Sequence, residues 1–443
     1  MIIKKINIYN LKIPFSRTIK HRLYTRNVTE SIVVVVLDNY GNQGVGEGTP
    51  REYVTGETLE KSLMAARLLS KAILDQPFDT IGELNALLKD MGDSDVSDKH
   101  PAACCALETA LLDLWARGED RPIYQLFDQF PNNRVLSYSG VIPYTNKEQA
   151  FLKYVGLVRK LNLTSLKIKV VGLDSGLSQL TTIRNQLGSD IEIRVDANTA
   201  FTADTAIQFI HHARPIKLSA IEQPVSKDDL VGLKKVSDYS DIPIIADESM
   251  YTSKGPFYLI DNDICHGLNI RLSSCGGFRK AYQIYQRARS KQMTIVVGAH
   301  VGETAILSFA GRNLAMICED AKYLEGSFSK YVVQEDLVEE DISFGSGGMV
   351  PAVNRSGIGI EIRTSAIEKW SERFDSLSVA TAATESVAVG CTAMPVFDVS
   401  SDRSPRHTQP CQLRILNNCG KMSALENHPG FTFQQPANVV SLS

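Results

Sequence analysis

"SLKIKVV", residues 165–171, is a short β-rich run with a polar residue, Lys169, near its C-terminal end. Runs of the same texture recur from about residue 135, each followed by a helical stretch. They are "VLSYSGVI" (135–142), "IEIRVDAN" (191–198), "LSAIEQP" (218–224), "IPIIADES" (242–249), "GLNIRLS" (267–273), "TIVVGAH" (294–300) and "YLEGS" (323–327). Lys169, Asp196, Glu222, Asp247, Arg271, His300 and Glu325 stand at their C-terminal ends, in steps of 24 to 29 residues. A near-constant βα step repeated about eight times predicts an α/β fold, a (β/α)8 TIM barrel, whose catalytic groups gather at the C-terminal ends of the strands. A doubly wound open sheet is the alternative, but no glycine-rich dinucleotide loop follows the first strand and no phosphate-binding P-loop is present.

Working outward, the N-terminal third has a different pattern. "SIVVVVLDNYGNQGVGEG" (31–48) reads as two strands around a turn. "GETLEKSLMAARLLSKAIL" (56–74) and "HPAACCALETALLDLWARG" (100–118) carry apolar residues at helical spacing. The expected organisation is an α+β capping domain over 1–130, the barrel over 131–350, a return segment over 351–374 and a tail over 375–443. The tail is rich in Ser, Thr, Ala, Pro and Asn without a sustained period and is expected to be disordered. With 43% apolar and 22% charged residues and a formal net charge of −3, the 443-residue chain reads as globular, and nucleic acid and membrane are not expected as partners. No apolar run reaches the roughly 20 residues of a membrane helix. The opening "MIIKKINIYNLKIPF" alternates like a strand and not like a signal peptide, so a cytoplasmic homo-oligomer is expected. The eight cysteines form no CxxC pair, which favours buried thiols over a zinc site.

The chemistry lies at the strand ends. Lys167 and Lys169 are two apart in a strand and point to one side. Adjacent ammonium groups lower each other's pKa, which makes one of them a candidate general base; an exposed edge strand with two solvated lysines is the plain alternative. Asp196, Glu222 and Asp247 end the next three strands. Each alone reads equally well as a helix cap, but three carboxylates converging in register repel unless a cation sits among them. Hard oxygen ligands suit Mg²⁺, with Mn²⁺ as a substitute.

These residues carry a resemblance. With "KIK" on the second strand, "DAN" on the third, "EQP" on the fourth, "ADES" on the fifth and a strand ending before "CGG" on the sixth, the chain resembles the enolase superfamily, in its muconate-lactonizing-enzyme branch. The likeness spans roughly residues 1–370, with a return strand near "GIGIEI" (357–362). It implies that Asp196, Glu222 and Asp247 bind Mg²⁺, that Lys169 is the base, and that Lys167 tunes it or contacts the substrate carboxylate. It also implies that cap loops around "HRLYTRN" (21–27) and "PREYVTGET" (50–58) close over the barrel, with Arg22, Tyr24, Arg51 and Tyr53 choosing the substrate; ordinary surface side chains are the alternative. The implied reaction removes an α-proton from a small carboxylate substrate and stabilises the enediolate with the metal. The outcome is an isomerisation (muconate cycloisomerase-like, or racemase/epimerase-like) or the dehydration of an acid sugar or hydroxy acid. A metal-binding barrel without turnover is the alternative of another class.

Arg271 departs from the pattern, because racemases and epimerases of this branch typically carry a second lysine there. Arginine is effectively never deprotonated, yet it binds carboxylates bidentately, so it favours one-base chemistry. An ion pair with Asp247 or Glu248 is the structural alternative. His300 resembles the histidine of the His–Asp dyad in the mandelate-racemase branch, but the partner position is Arg271, so a substrate contact or packing is expected. Glu303 and Glu325 are expected as pocket residues, and Asn198 and Asn269 as groups that orient their neighbours.

Overall fold

In the computed structural model, which describes residues 1–20, 24–128, 134–145 and 147–379, the recurring β-rich runs form one parallel sheet in sequential order. The eight strands are Gly140–Ile142, Ser165–Lys169, Glu192–Asp196, Ala220–Glu222, Ile244–Ala246, Gly267–Arg271, Thr294–Gly298 and Tyr323–Leu324. A parallel bridge between Tyr138 and Leu324, with Ser139 N donating to Leu324 O at 2.9 Å, joins the last strand to the start of the first and closes the ring. Helices Glu148–Lys160, Leu173–Leu187, Ala203–Ala213, Leu230–Tyr239, Gly255–Asp261, Phe278–Ser290 and Ala305–Ile317 return the chain between successive strands. Among the described residues no α-helix directly follows the eighth strand; two 3-10 turns, Ser329–Tyr331 and Ser346–Gly348, come next instead.

Local sequence explains these elements. The helix Ala203–Ala213 starts where the Thr202 side chain accepts a hydrogen bond from Thr205 N. It buries Ala206, Phe209, Ile210 and Ala213, one stripe at helical spacing, against the barrel. Strand interiors are β-branched and buried, as with Ile193 and Val195 on either side of the buried Arg194.

The cap sheet orders its strands as Ser371–Ser378, Ile3–Leu11, Ser31–Asp38 and Gln43–Gly48. Helix Pro101–Gly118 lies directly on the last of these. A Cβ on Gly46 would stand 2.0 Å from Ala106 O, and one on Gly48 1.9 Å from Ala102 O, so "QGVGEG" alternates glycine to let the helix backbone approach. Cap and barrel are joined by buried carboxylates. Glu47 accepts from Thr304 Oγ1 at 2.7 Å and from Leu307 N at 3.0 Å, at the start of helix Ala305–Ile317. Glu108 accepts from Arg279 N at 2.7 Å, at the start of helix Phe278–Ser290. Burial raises the carboxyl pKa of both, that of Glu108 to about 7, against the pull of the helix amides.

Two expectations about the C-terminal region change. "GIGIEI" is not a strand: Gly359 has φ +101°, Ile358 N donates to Asp113 Oδ1 at 2.6 Å, and Ile358 and Ile360 are buried. The returning strand is Ser371–Ser378, antiparallel to Ile3–Leu11. A boundary at 374 therefore cuts a strand, because its pairing comes from the open edge of the first strand and not from any periodicity of its own. The expected disordered tail lies, from residue 380 on, outside the described residues. The five described cysteines are buried and unpaired, and no helix among the described residues is long and apolar enough to cross a membrane.

Candidate active site

The strand ends bring a buried charge network to the mouth of the barrel. Lys167 is 3% exposed, with Nζ 2.7 Å from Glu325, 3.2 Å from Glu222 and 3.5 Å from Asp196. Burial alone would lower its pKa, but Glu222, Glu325 and Asp196 together raise it, so Lys167 is held as an ammonium. This corrects the expectation for Lys167: three carboxylates outweigh burial and the nearby cationic charge. Arg194, fully buried on the next strand, pairs with Glu222 at 3.0 Å and also with Glu325.

Lys169, one strand end closer to solvent, reaches Asp196 at 3.0 Å and Asn198 Oδ1 at 2.6 Å. Asn198 is itself fixed, donating through its backbone to Asp196 at 3.0 Å and through its amide to Glu248 at 3.3 Å. Asn269 donates to Glu222 at 2.9 Å. Both asparagines thus orient charged groups, as expected. Burial would raise the Asp196 carboxyl, yet Lys169 and Lys167 hold it well below the usual range.

Arg271 stands on the sixth strand, across the eight-stranded ring from Lys169 on the second. It pairs with Asp247, lies 3.7 Å from Glu222, and places Nη1 3.3 Å from His300 Nδ1. Even so, burial, joined by Glu248 and Glu222, keeps the Asp247 carboxyl raised. Lys169 and Arg271 line one cavity of about 60 Å³, together with Tyr24, Tyr53, Asp247, Glu248 and Glu325.

The three expected ligands do not converge as drawn. Among the described residues no group of three His, Cys, Asp or Glu stands at metal-holding distance, because Asp196, Glu222 and Asp247 each turn to a lysine or arginine. The donor set nevertheless fits a hard divalent cation. Five clustered carboxylates, Asp196, Glu222, Asp247, Glu248 and Glu325, face four cations, Lys167, Lys169, Arg194 and Arg271. Asp247 Oδ1 and Glu248 Oε2 are buried with no hydrogen-bond partner, an expensive arrangement that a cation would relieve.

The remaining candidates divide. Tyr24 and Tyr53 line the cavity with ring centroids 4.3 Å apart, and Glu325 lines it too. Arg51 does not: it is 1% exposed and its guanidinium donates to the carbonyls of Glu30, Pro50 and Val301, tying cap loop to barrel loop. His300 is packed behind Arg271, with Nε2 2.7 Å from Ser274 Oγ; burial, then Arg271, pushes its pKa well down, so it is neutral. Glu303 accepts from His300 N at 2.6 Å, and burial raises its pKa to about 8. Neither lines the cavity: the loop after Gly298 turns His300 to Ser274 behind Arg271 and folds Glu303 back onto the His300 backbone. Arg22 lies outside the described residues. Sequence reasoning passed over Arg194 and named Glu248 only as a possible ion-pair partner of Arg271, although each left a signal: Arg194 is two residues before Asp196 and shares its face, and Glu248 directly follows Asp247.

The chain is similar to several known proteins. The model of the family "Enolase C-terminal domain-like" matches residues 153–366. The hydrophobic dipeptide epimerase of Enterococcus faecalis is 31% identical over 319 residues, 71% of this chain and 87% of that one. A dipeptide epimerase structure from the same organism, complexed with Mg and the dipeptide L-Leu-L-Tyr, superposes with a TM-score of 0.74 at 27% identity, covering 82% of this chain and all of that one. The N-succinyl-L-Arg/Lys racemase of Bacillus cereus is 26% identical over 388 residues, 83% of this chain and 98% of that one. The fold alone is shared with muconate lactonizing enzyme from Pseudomonas fluorescens, at a TM-score of 0.75 and 19% identity, over 84% of this chain and 99% of that one. The chain belongs to the enolase superfamily, in its muconate-lactonizing-enzyme-like branch of isomerases.

Proposed function

We propose that this protein is an isomerase that removes the α-proton of a small carboxylate substrate, with Lys169 as the base and Arg271 as a fixed positive charge on the opposite side of the reacting carbon. The observation that carries the reading is that Lys169 and Arg271 face one cavity beside two buried carboxylate oxygens without partners. Asp196, Glu222 and Asp247, with Glu248 adjoining, would hold Mg²⁺, or Mn²⁺ in its place. When bound, such an ion supplies Lewis-acid stabilisation to the substrate carboxylate as its charge grows during proton removal.

The protein's own residues do the rest. Lys167, Arg194 and Glu325 form a rigid floor that sets the direction of Glu222. Asn198 holds Lys169 Nζ at the cavity wall, where it takes the α-proton at one face of the α-carbon; in a one-base cycloisomerisation the enediolate then expels an internal β-carboxylate, the ring C–O bond breaking as the α,β double bond forms, and the lysine gives the proton to solvent. Arg271 cannot take a proton at the other face. It stabilises the developing enediolate as a preorganised charge, a contribution worth a few kcal/mol in a water-excluded site. The same asymmetry favours, as a second reading, syn elimination of water, which also needs a single base. The buried unpaired thiols suit a reducing compartment.

The test is incorporation of deuterium from D₂O at the α-carbon, screened over small carboxylates with Mg²⁺ present. One enantiomer of a responsive substrate is expected to exchange, and chelator to stop it reversibly. Rapid exchange of both enantiomers would overturn the one-base assignment, and full exchange in chelator would overturn the metal.

A further inference from the structure

The guanidinium of Arg271 has two sets of partners. Nη2 pairs with Asp247, while Nη1 lies 3.3 Å from Ala299 O and 3.3 Å from His300 Nδ1. Nε is buried with no hydrogen-bond partner. In the reading above Asp247 also serves the metal, so it does not by itself fix which way the guanidinium points. The contacts at Nη1 belong to the barrel wall alone and hold whichever way Asp247 turns.

Arginine carries only donors, so a ring nitrogen bonded to it has to accept. Nδ1 of His300 is then the bare nitrogen, and Nε2 carries the proton. Nε2 lies 2.7 Å from Ser274 Oγ, which accepts that hydrogen bond. Ser274 sits in the short helix Leu272–Cys275 that directly follows strand Gly267–Arg271, three residues after Arg271, so strand end and helix present both groups to one ring. The backbone of His300 is fixed as well, through Glu303 at 2.6 Å. The residue is 3% exposed, and burial, then Arg271, keeps the ring from charging and repelling its partner. A ring that only filled space would do so in either tautomer; Arg271 is served by one.

Resting on the reading of Arg271 as a fixed positive charge, we infer that His300 is the positioning residue for that charge. Anchored on Ser274 as the Nε2–H tautomer, it accepts from Arg271 through Nδ1 and holds the guanidinium at the cavity wall, with Nε–H left over for a substrate oxygen. The histidine moves no proton itself.

The full chain, labelled with nitrogen-15 in its histidine and arginine side chains, gives the ring state directly by nuclear magnetic resonance; the His300 signals are those lost in His300→Asn. A neutral ring with its proton on Nε2 is expected, and in Arg271→Met a share of the Nδ1–H form, because nothing then demands an acceptor. The Arg271 Nε–H signal, identified by its loss in Arg271→Met, is expected to shift and broaden in Ser274→Ala and in His300→Leu. It should stay near its wild-type place in His300→Asn, whose Oδ1 stands where Nδ1 stood. On a carboxylate that exchanges in the screen above, His300→Leu should lower kcat about tenfold at unchanged KM, the scale of one hydrogen bond to a charged group, and His300→Asn should recover most of it. A wild-type ring protonated on Nδ1 or on both nitrogens, or an Arg271 signal indifferent to His300→Leu, overturns the inference and leaves the α-proton reading standing. Exchange with no carboxylate overturns that reading, while the ring state still stands or falls on its own spectrum.

Discussion

Replacing Glu108 by glutamine tests the seam between cap and barrel. Glu108 is 2% exposed and caps a barrel helix through Arg279 N. Burial, opposed by the Arg279 amide and guanidinium and by Phe278 N, moves its pKa from 4.5 to about 7. A carboxyl whose folded-state pKa is raised gives stability that is fully present below the unfolded value and is lost as pH rises through the folded one. The window therefore runs from pH 4.5 to about 7. At about 1.4 kcal/mol per pKa unit, a shift of this size costs the wild type on the order of 2 kcal/mol between pH 5 and 8. Glutamine keeps an acceptor for Arg279 N but does not ionise, so Glu108→Gln escapes this loss. With an unfolding entropy of roughly 2 cal/mol/K per residue, the variant should gain roughly 2–3 °C in Tm on the wild type between those pH values. Other titrating groups are common to both proteins and cancel in the difference. Parallel melting curves over the whole range would refute the reasoning, since Glu108 would then titrate alike in the folded and unfolded chain.

Lys169→Met should lower α-proton exchange by about two to four orders of magnitude, the usual scale for a general base. It should leave the far-ultraviolet spectrum and melt almost unchanged, because Asp196 keeps Lys167 at 3.5 Å. Asp247→Asn should weaken Mg²⁺ binding in calorimetry; wild-type affinity in that variant would remove Asp247 from the metal site. Arg271→Lys should add slow exchange at the second face of the α-carbon, read as deuterium entering the other enantiomer, since lysine can lose a proton where arginine cannot. A chain ended at Trp370 should melt several degrees below one ended at Val379, because it bares the edge of strand Ile3–Leu11; equal melting points would show that this pairing contributes little.

The barrel was legible because seven of its eight strands end in, or just before, a polar residue at a regular step, and that regularity survives local noise. Asp196, Glu222, Asp247, Lys167 and Lys169 were legible for the same reason. What escaped is set by partners far along the chain. Arg51 sits in a loop and reads as a substrate contact, yet its guanidinium is consumed by the carbonyl of Val301, 250 residues away. His300 follows a strand end like the others and Glu303 stands three residues further on, but the loop after Gly298, and not the strand period, decides where they point. "GIGIEI" alternates as a strand should, and the left-handed backbone at Gly359 undoes it. The direction of the Lys167 shift was hidden too, since a sequence shows the neighbouring lysine but not the three carboxylates folded around it.

The strand Ser371–Ser378 has a bearing on how the protein is made. Asn7 and Ser376, which touch across the cap sheet, are 369 residues apart. At roughly 5–20 residues per second, a ribosome needs on the order of 20 to 75 seconds to deliver the second after the first. Throughout that interval the strand Ile3–Leu11 presents one bare edge, the kind of surface that recruits strands from other chains. The domain begun first is thus completed last, and the nascent protein depends on the barrel forming promptly, or on a chaperone's cover, to keep its opening strand for its own C-terminal partner.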